Sequence, residues 1–150
     1  MTIRQIDPLQ AKERLDSGDG SIYLDVRSEP EFENGHVPGA LNIPLMHLDP
    51  VTRQMSPNPD FLDVVKAVLP PDARLIVGCM SGARSQKACE LMAQAGYAEL
   101  SNVRGGFGGA KDPMGRLVQP GWMQHGLPVS REAGENSYAA IRSRAKAPGA

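Results

Sequence analysis

A cysteine stands where an apolar run ends and a turn of small residues begins, in the segment IVGCMSGARSQKA from Ile76 to Ala88. The residues that follow Cys79 and form a candidate anion-binding loop are Met80, Ser81, Gly82, Ala83, Arg84 and Ser85. Backbone N–H groups of such a turn can curl inward around an anion, and a helix that begins near Arg84 adds the partial positive charge of its N-terminus. Because both effects favour the nucleophilic thiolate, the sequence predicts that Cys79 is a nucleophile and is largely ionised near neutral pH.

A purely structural role is the alternative for Cys79. Free cysteine is often fully buried and then behaves as a small apolar residue. Cys89 serves as an internal comparison, because it flanks a predicted helical face that includes Ala88, Leu91 and Met92 and has no turn of small residues around it. We interpret Cys89 as a packing residue.

Three polar residues earlier in the chain are candidates to support the loop. Asp25 and Arg27 follow a predicted strand. We expect their side chains to point to opposite sides, with Asp25 turned inward to hydrogen-bond the loop backbone and Arg27 in a surface ion pair. His36 lies in a turn before Pro38 and Gly39, where we expect its ring to satisfy backbone groups rather than to act as an acid or base.

The elements around the cysteine alternate between strands and helices. Short apolar runs bounded by turn formers predict buried strands, and apolar residues at helical spacing between a cap and a stop signal predict helices. Strands are predicted over 21–26, 40–45, 74–79 and 99–103, and helices over 8–17, 59–69 and 84–95. This alternation predicts an α/β fold with a mostly parallel sheet. Cys79 then lies at the carboxyl end of a strand, where such sheets bind ligands.

The pattern weakens in the last third of the chain. We assign residues 1–130 to one domain, and within it residues 107–121 to an arm rich in glycine and proline that forms a hairpin around residues 112–115. The arm could cover the pocket, dock a partner or have no role. Residues 131–150 are polar and alanine-rich, and we expect a fraying tail with one short helix over 138–144.

Composition limits the classes of partner. With 41% apolar and 22% charged residues, the 150-residue chain can form one domain with a core. Its formal net charge of −1 provides no basic excess for nucleic acid or an anionic membrane, so we expect neither as a partner. Two cysteines cannot form a multi-bridge framework, and the N-terminus has no apolar signal segment. We expect a cytoplasmic location, and a monomer or a weak dimer.

Three groups of motifs resemble, in their residues and their order, those of rhodanese-like sulfurtransferases. The first group is LDVR at 24–27 with EF at 31–32 and GHVPGALNIP at 35–44. The second is CMSGARS at 79–85, and the third is NVRGG at 102–106 with Trp122 and GLPV at 126–129. The resemblance extends over about residues 3–129. It implies a rhodanese-like three-layer sandwich, in which a central, mostly parallel sheet of about five strands is flanked by helices.

The same resemblance implies a sulfurtransferase in which Cys79 carries a persulfide. The cysteine would accept a sulfane sulfur from thiosulfate or an organic persulfide and pass it to an acceptor, which is cyanide in vitro and a thiol or a protein in the cell. Arg84 would hold the donor or brace the loop, and neither a metal nor an organic cofactor is required. Met80 stands where many thiosulfate-selective members carry a cation, which favours an organic persulfide as the donor.

Two other functions are compatible with these residues. One is a non-catalytic rhodanese-like module that binds or senses a partner, although such a module has no need of an intact cysteine loop. The other is a phosphatase or an arsenate reductase, which place cysteine and arginine as C-x5-R around a tetrahedral oxyanion. This chain has C-x4-R from Cys79 to Arg84, and the tighter ring suits a single sulfur.

Overall fold

The structure of the protein, a computed structural model, describes residues 3–146 and alternates short strands with helices. The strands are β1 (Arg4–Ile6), β2 (Ile22–Asp25), β3 (Leu41–Asn42), β4 (Met46–Leu48), β5 (Met55–Pro57), β6 (Leu75–Gly78), β7 (Leu100–Val103), β8 (Ala110–Lys111) and β9 (Leu117–Gln119). The helices are α1 (Pro8–Asp16), α2 (Glu29–Glu33), α3 (Phe61–Val68), α4 (Ala83–Gln94) and α5 (Tyr138–Lys146), and a 3-10 turn, Gly134–Asn136, precedes α5. No helix within residues 3–146 has the length and apolar character needed to cross a bilayer.

Five strands form the central sheet in the order β1-β7-β6-β2-β3, and every neighbouring pair is parallel. All four residues of β6 are buried, as expected for a central strand covered on both faces. The carboxyl ends of β2, β6 and β7 therefore meet at one edge of the sheet. This arrangement confirms the predicted α/β class and its parallel sheet.

The sheet separates two apolar layers, because alternate residues of each strand face opposite sides. On one side Leu75 and Val77 pack with residues of α3, α4 and α5. On the other side Ile76 packs with Tyr23, with Ala11 of α1 and with Trp122. The protein is thus a three-layer sandwich with the sheet at its centre.

Capping signals set the first helix. The Asp7 side chain accepts the N–H of Gln10 at 2.8 Å, and the Gln10 side chain accepts the N–H of Asp7 at 2.9 Å. This reciprocal capping box, with Pro8 at the first helical position, starts α1 where the sequence predicts it. Three features were not predicted from the sequence, because each of their elements has only three to five residues. They are β1, α2 and the β4–β5 hairpin.

The predicted strand over 40–45 is shorter in the structure. Regular pairing with β2 ends at Asn42 because Pro44 has no N–H to donate to the ladder. Ile43 and Leu45 still donate to the carbonyls of Asp25 and Val26 at 3.1 and 3.0 Å. The backbone is therefore bound to β2 on both sides of the proline.

The two predicted features of the last third are both present. β8 and β9 pair antiparallel around a turn in which the Asp112 carboxylate accepts the N–H groups of Met114 and Arg116, each at 2.9 Å. The helix expected near 138–144 is α5, but the expected fraying is wrong for its described part, because Tyr138 and Ile141 are buried against α3. Residues 147–150 of the predicted tail lie outside the described residues.

Candidate active site

The side chain of Cys79 lies immediately after β6, where the chain turns into α4. Its residue is 1% exposed. The sulfur accepts the backbone N–H of Gly82 at 3.1 Å and lies 3.4 Å from the hydroxyl oxygen of Ser85. Gly82 is the N-cap of α4 and has φ of 112°, a left-handed conformation that glycine adopts without strain. The turn therefore places one amide donor and one hydroxyl against the sulfur.

Other N–H groups of the loop are available to a ligand. Within the described chain, the backbone N–H groups without a hydrogen-bond acceptor include those of Met80, Ser81, Ala83, Arg84 and Ser85. Unpaired amides at the start of a helix form a ready anion site. The loop thus has the donors that a negatively charged sulfur group would need.

The carbonyl groups of the loop are held from the opposite side by the turn after β7. Phe107 and Gly108 donate their N–H groups to the carbonyl oxygens of Cys79 and Met80, each at 2.8 Å. This contact requires a glycine at position 106, because a Cβ there would lie 2.4 Å from the Cys79 oxygen. The turn therefore fixes the backbone of Cys79.

Arg84 contacts Glu31 through two parallel hydrogen bonds of 2.8 and 2.9 Å. Glu31 also accepts the hydroxyl of Ser28 at 2.8 Å. Burial opposes ionisation of Glu31, but the hydrogen bonds and charge of Arg84, together with Ser28, lower its pKa to about 2. Arg84 is thus bound to α2 through a carboxylate that stays charged, which is the geometry of a brace.

The structure corrects the prediction for Asp25 and Arg27. Their side chains do not point to opposite sides, because residues two apart in an extended chain project to the same side. Both are buried and form an ion pair with a shortest distance of 2.7 Å. Arg27 also donates to the carbonyl of Gly35 at 2.8 Å and lies 4.4 Å from the ring centre of Phe107. Asp25 therefore braces Arg27 rather than the Cys79 loop, and Arg27 is not at the surface.

His36 is fully buried, and both of its ring nitrogens lie near backbone carbonyl groups. Nδ1 lies 2.7 Å from the carbonyl oxygen of Phe32, and Nε2 lies 3.2 Å from that of Glu132. The ring stacks on Phe32 with 3.8 Å between centroids. These contacts join α2 to the chain before α5 and give His36 a structural role.

Cys89 differs from Cys79 in its surroundings. It is fully buried on α4 within the apolar layer. Burial, followed by the nearby charges of Glu90 and Cys79, raises the pKa of the Cys89 thiol to about 12. The second cysteine is therefore a neutral packing residue at physiological pH.

Asn102 is a neighbour of the loop for which the sequence alone predicts no role. It is buried in β7, and its Oδ1 accepts the hydroxyl of Ser85 while its Nδ2 donates to the carbonyl of Gly82 at 3.3 Å. The signal was an amide side chain inside a predicted buried strand, since buried polar groups require partners. Within residues 3–146 no cluster of three or more His, Cys, Asp or Glu side chains could hold a metal ion.

Known proteins are similar to this chain in sequence and in fold. Residues 7–112 match the Rhodanese-like domain family. The chain is 39% identical over 134 residues to Thiosulfate sulfurtransferase 18 of Arabidopsis thaliana, covering 88% of this chain and 87% of that protein. It is 40% identical over 105 residues to the mitochondrial Protein HIGH ARSENIC CONTENT 1 of the same plant, covering 70% of this chain and 60% of that protein.

A solved structure agrees with the sequence matches. The crystal structure of Rv0390 from M. tuberculosis superposes with a TM-score of 0.71 at 28% sequence identity. The match covers 88% of this chain and all of that one.

Proposed function

The chain belongs to the rhodanese-like domain family, and from that premise we propose that it is a sulfurtransferase that works through a persulfide on Cys79. The contact between the Cys79 sulfur and the Gly82 N–H, at 3.1 Å, carries the proposal. It places the sulfur at the amino end of α4, beside N–H groups that have no other partner in the described chain. Relatives named as thiosulfate sulfurtransferases support the same class of reaction.

The first stage loads the cysteine. The thiolate of Cys79 attacks the outer sulfur of thiosulfate, the S–S bond of the donor breaks, and sulfite leaves with the electron pair of that bond. With an organic persulfide as donor, the leaving group is the thiolate of the organic molecule. In both cases the product is a Cys79 persulfide with a negative terminal sulfur.

The second stage removes the terminal sulfur from the Cys79 persulfide. A nucleophilic acceptor, such as cyanide or a thiolate, attacks the terminal sulfur, and the S–S bond breaks to regenerate the Cys79 thiolate. Both stages place negative charge on sulfur within the loop from Met80 to Ser85. Donors that are already in position stabilise this charge without reorganisation, and the unpaired N–H groups of the loop supply them.

Arg84 is assigned a bracing role in this proposal. Its two hydrogen bonds to Glu31 commit the guanidinium to α2, and they hold the first turn of α4 in place. Met80, next to the nucleophile, has no charge with which to bind a dianion. We therefore expect an organic persulfide to load Cys79 faster than thiosulfate does.

Oxyanion chemistry is the competing reaction class, and one relative has a name that refers to arsenic. A C-x5-R loop forms a ring wide enough for a tetrahedral oxyanion. Here the spacing from Cys79 to Arg84 is one residue shorter, and Arg84 is bonded to Glu31. Both observations favour transfer of a single sulfur over reduction or hydrolysis of an oxyanion.

Intact mass measurement after incubation with a donor tests the proposal. Thiosulfate and, separately, glutathione persulfide should add the mass of one sulfur atom to the wild type and to the Cys89→Ser control. Cys79→Ser should gain nothing, and cyanide should remove the added sulfur as thiocyanate. Absence of the added sulfur on the wild type with both donors would favour a non-catalytic module, and arsenate-dependent oxidation of thiols would favour the oxyanion class.

A further inference from the structure

A chain of side-chain amides leads from the protein surface to the hydroxyl beside the nucleophile. The Nε2 group of Gln86 donates to the carboxylate of Glu90 at 3.2 Å. Gln5 donates from Nε2 to Oε1 of Gln86 at 2.6 Å and accepts from Nδ2 of Asn102 at 3.0 Å. Asn102 then accepts the hydroxyl of Ser85. The chain thus joins α4, β1 and β7 and ends at the active-site loop.

The direction of every hydrogen bond in this chain is determined by its ends. An ionised carboxylate accepts and cannot donate, so the NH₂ group of Gln86 must face Glu90. Each amide in turn must then present its NH₂ group toward the surface and its oxygen toward the loop. The oxygen of Asn102 therefore faces Ser85.

A second anchor fixes the same direction independently. Nδ2 of Asn102 also donates to the backbone carbonyl of Gly82 at 3.3 Å. A carbonyl oxygen only accepts, so a flipped Asn102 would place two oxygens against each other. The buried Oδ1 of Asn102 therefore requires a donor, and Ser85 supplies it.

Ser85 has one hydroxyl hydrogen and three acceptors within reach. These are Oδ1 of Asn102, the carbonyl of Gly82 at 3.2 Å and the sulfur of Cys79 at 3.4 Å. While the hydrogen is given to Asn102, the lone pairs of the hydroxyl face the sulfur. That arrangement can accept a hydrogen bond from a thiol S–H, but it cannot donate one to a sulfur anion.

We propose that Asn102 is a positioning residue for Cys79. Asn102 holds the Ser85 hydroxyl in the orientation that stabilises the thiol, and it thereby determines how readily the hydroxyl turns to a sulfur anion. On ionisation of Cys79, the hydroxyl hydrogen leaves Asn102 and turns to the sulfur, while Oδ1 of Asn102 loses its donor. The amide therefore opposes formation of the thiolate. The inference deepens the proposed function and rests on it for its meaning in sulfur transfer.

The groups whose charges interact with Cys79 include Arg84 and Cys89 on α4 and Tyr23 on β2. The Asp25–Arg27 ion pair at the end of β2 acts on Tyr23 as well. Burial raises the pKa of Tyr23 above its usual value and, with nearby charges, that of Cys89 to about 12. Burial opposes the charge of Arg84, but the bonds to Glu31 raise its pKa above the usual value. Between about pH 6 and 9 a titration of thiol reactivity therefore reports Cys79.

The rate of alkylation by iodoacetamide, measured against pH, tests the inference. All variants carry Cys89→Ser, so that iodoacetamide can modify only the thiol of Cys79. Asn102→Leu removes the competing acceptor and should move the midpoint about one pH unit lower, because a hydrogen bond to a charged group shifts such an equilibrium about tenfold or more. Ser85→Ala removes the donor and should move the midpoint higher.

The double variant decides whether Asn102 acts through Ser85. With Ser85→Ala present, Asn102→Leu should cause no further shift. Asn102→Ala is the second variant at this position and should move the midpoint in the same direction as Asn102→Leu. Asn58→Ala removes a buried asparagine that bonds Pro44 and Tyr138 instead, and should leave the midpoint unchanged.

Two results would overturn the inference: an unchanged or higher midpoint in both Asn102 variants, or the same shift with and without Ser85. Alkylation requires no sulfur donor or acceptor, so these results are independent of whether the protein transfers sulfur. A protein that fails to form a persulfide but shows the predicted shifts would refute the proposed function alone.

Discussion

The backbone N–H of Phe107 donates to the carbonyl oxygen of Cys79 at 2.8 Å. This bond joins Cys79, at the end of β6, to the turn that follows β7. The same turn continues into the β8–β9 hairpin and brings the ring of Phe107 over the Arg27 guanidinium. The position of Cys79 therefore depends on residues far from it in the sequence.

Replacement of Gly106 should disrupt this contact. In Gly106→Ala the new Cβ would lie 2.4 Å from the Cys79 carbonyl oxygen, and φ of 53° is itself unfavourable for alanine. We expect persulfide loading to fall by about tenfold or more, as misplaced reacting groups are costly, and the melting temperature to fall. Gly126→Ala is the matched control, because its φ is 70° and a Cβ there meets nothing within 4 Å. Equal losses of loading in both variants would contradict the role of this contact.

The ion pair between Glu31 and Arg84 should make stability depend on acid pH. The pKa of Glu31 is lowered from 4.5 to about 2 in the folded protein, because the bonds and charge of Arg84 and the bonds of Ser28 outweigh burial. A carboxyl with a depressed pKa stabilises the fold above its unfolded pKa and loses this contribution as pH falls through the folded value. The stabilisation is thus fully present above about pH 5 and is lost toward pH 2.

Urea unfolding of the wild type and Glu31→Gln measures this contribution. The difference in the free energy of unfolding should be about 2 kcal/mol near pH 7 and should shrink below pH 4.5. Glu33→Gln, an exposed change on the same helix, should show neither effect. A difference that stays constant down to pH 2.5 would contradict the assignment.

The two cysteines should differ in reactivity in the folded protein. At pH 8 the Cys89 thiol, with its pKa of about 12, is almost entirely neutral, whereas the Cys79 sulfur faces the Gly82 N–H. Iodoacetamide should modify Cys79 at least about tenfold faster than Cys89, because the thiolate is the reacting species. Peptide mapping by mass spectrometry measures both rates, with urea-unfolded protein as the reference. Equal native rates would show that the loop does not activate its cysteine.

Removal of the hairpin tip should leave the chemistry of small donors intact. Gly106 and Gly108 at the root lie against Cys79 and Met80, but Met114 at the tip is 80% exposed. Deletion of residues 111–116, with two glycines to close the turn, should change persulfide loading by less than about twofold, as for surface changes remote from a site. A loss of persulfide loading would show that the tip covers the Cys79 loop. A loss of sulfur transfer to protein acceptors alone would show that the tip docks a partner.

The last helix should contribute to global stability. Ile141 is fully buried in the layer formed by α3 and α4. Ile141→Ala should lower the free energy of unfolding by about 2–4 kcal/mol, the usual cost of truncating a buried aliphatic side chain. Ser143→Ala, an exposed change on the same helix, is the control in urea unfolding. If Ile141→Ala lowers the free energy of unfolding no more than Ser143→Ala does, α5 does not contribute to the stability of the core.

Local signals predicted much of this protein correctly. Asp7 and Pro8 marked the start of α1, and the apolar run before Cys79 marked the central strand. The small residues after Cys79 predicted a turn that opens a helix, and Gly82 is the N-cap of that helix. Such signals succeed because capping, strand burial and turn formation depend on residues within a few positions of one another.

Side-chain partners were decided by the tertiary structure. Arg84 finds Glu31, 53 positions away, and Ser85 finds Asn102, 17 positions away. The tail helix packs on the core through Tyr138 and Ile141 although its composition is polar and alanine-rich. The amino-acid sequence by itself determined which residues could be nucleophile, cap or core, because those properties belong to the residue and its near neighbours. The parallel sheet decided which of them meet, because it brings the ends of strands that are distant in the chain to one edge.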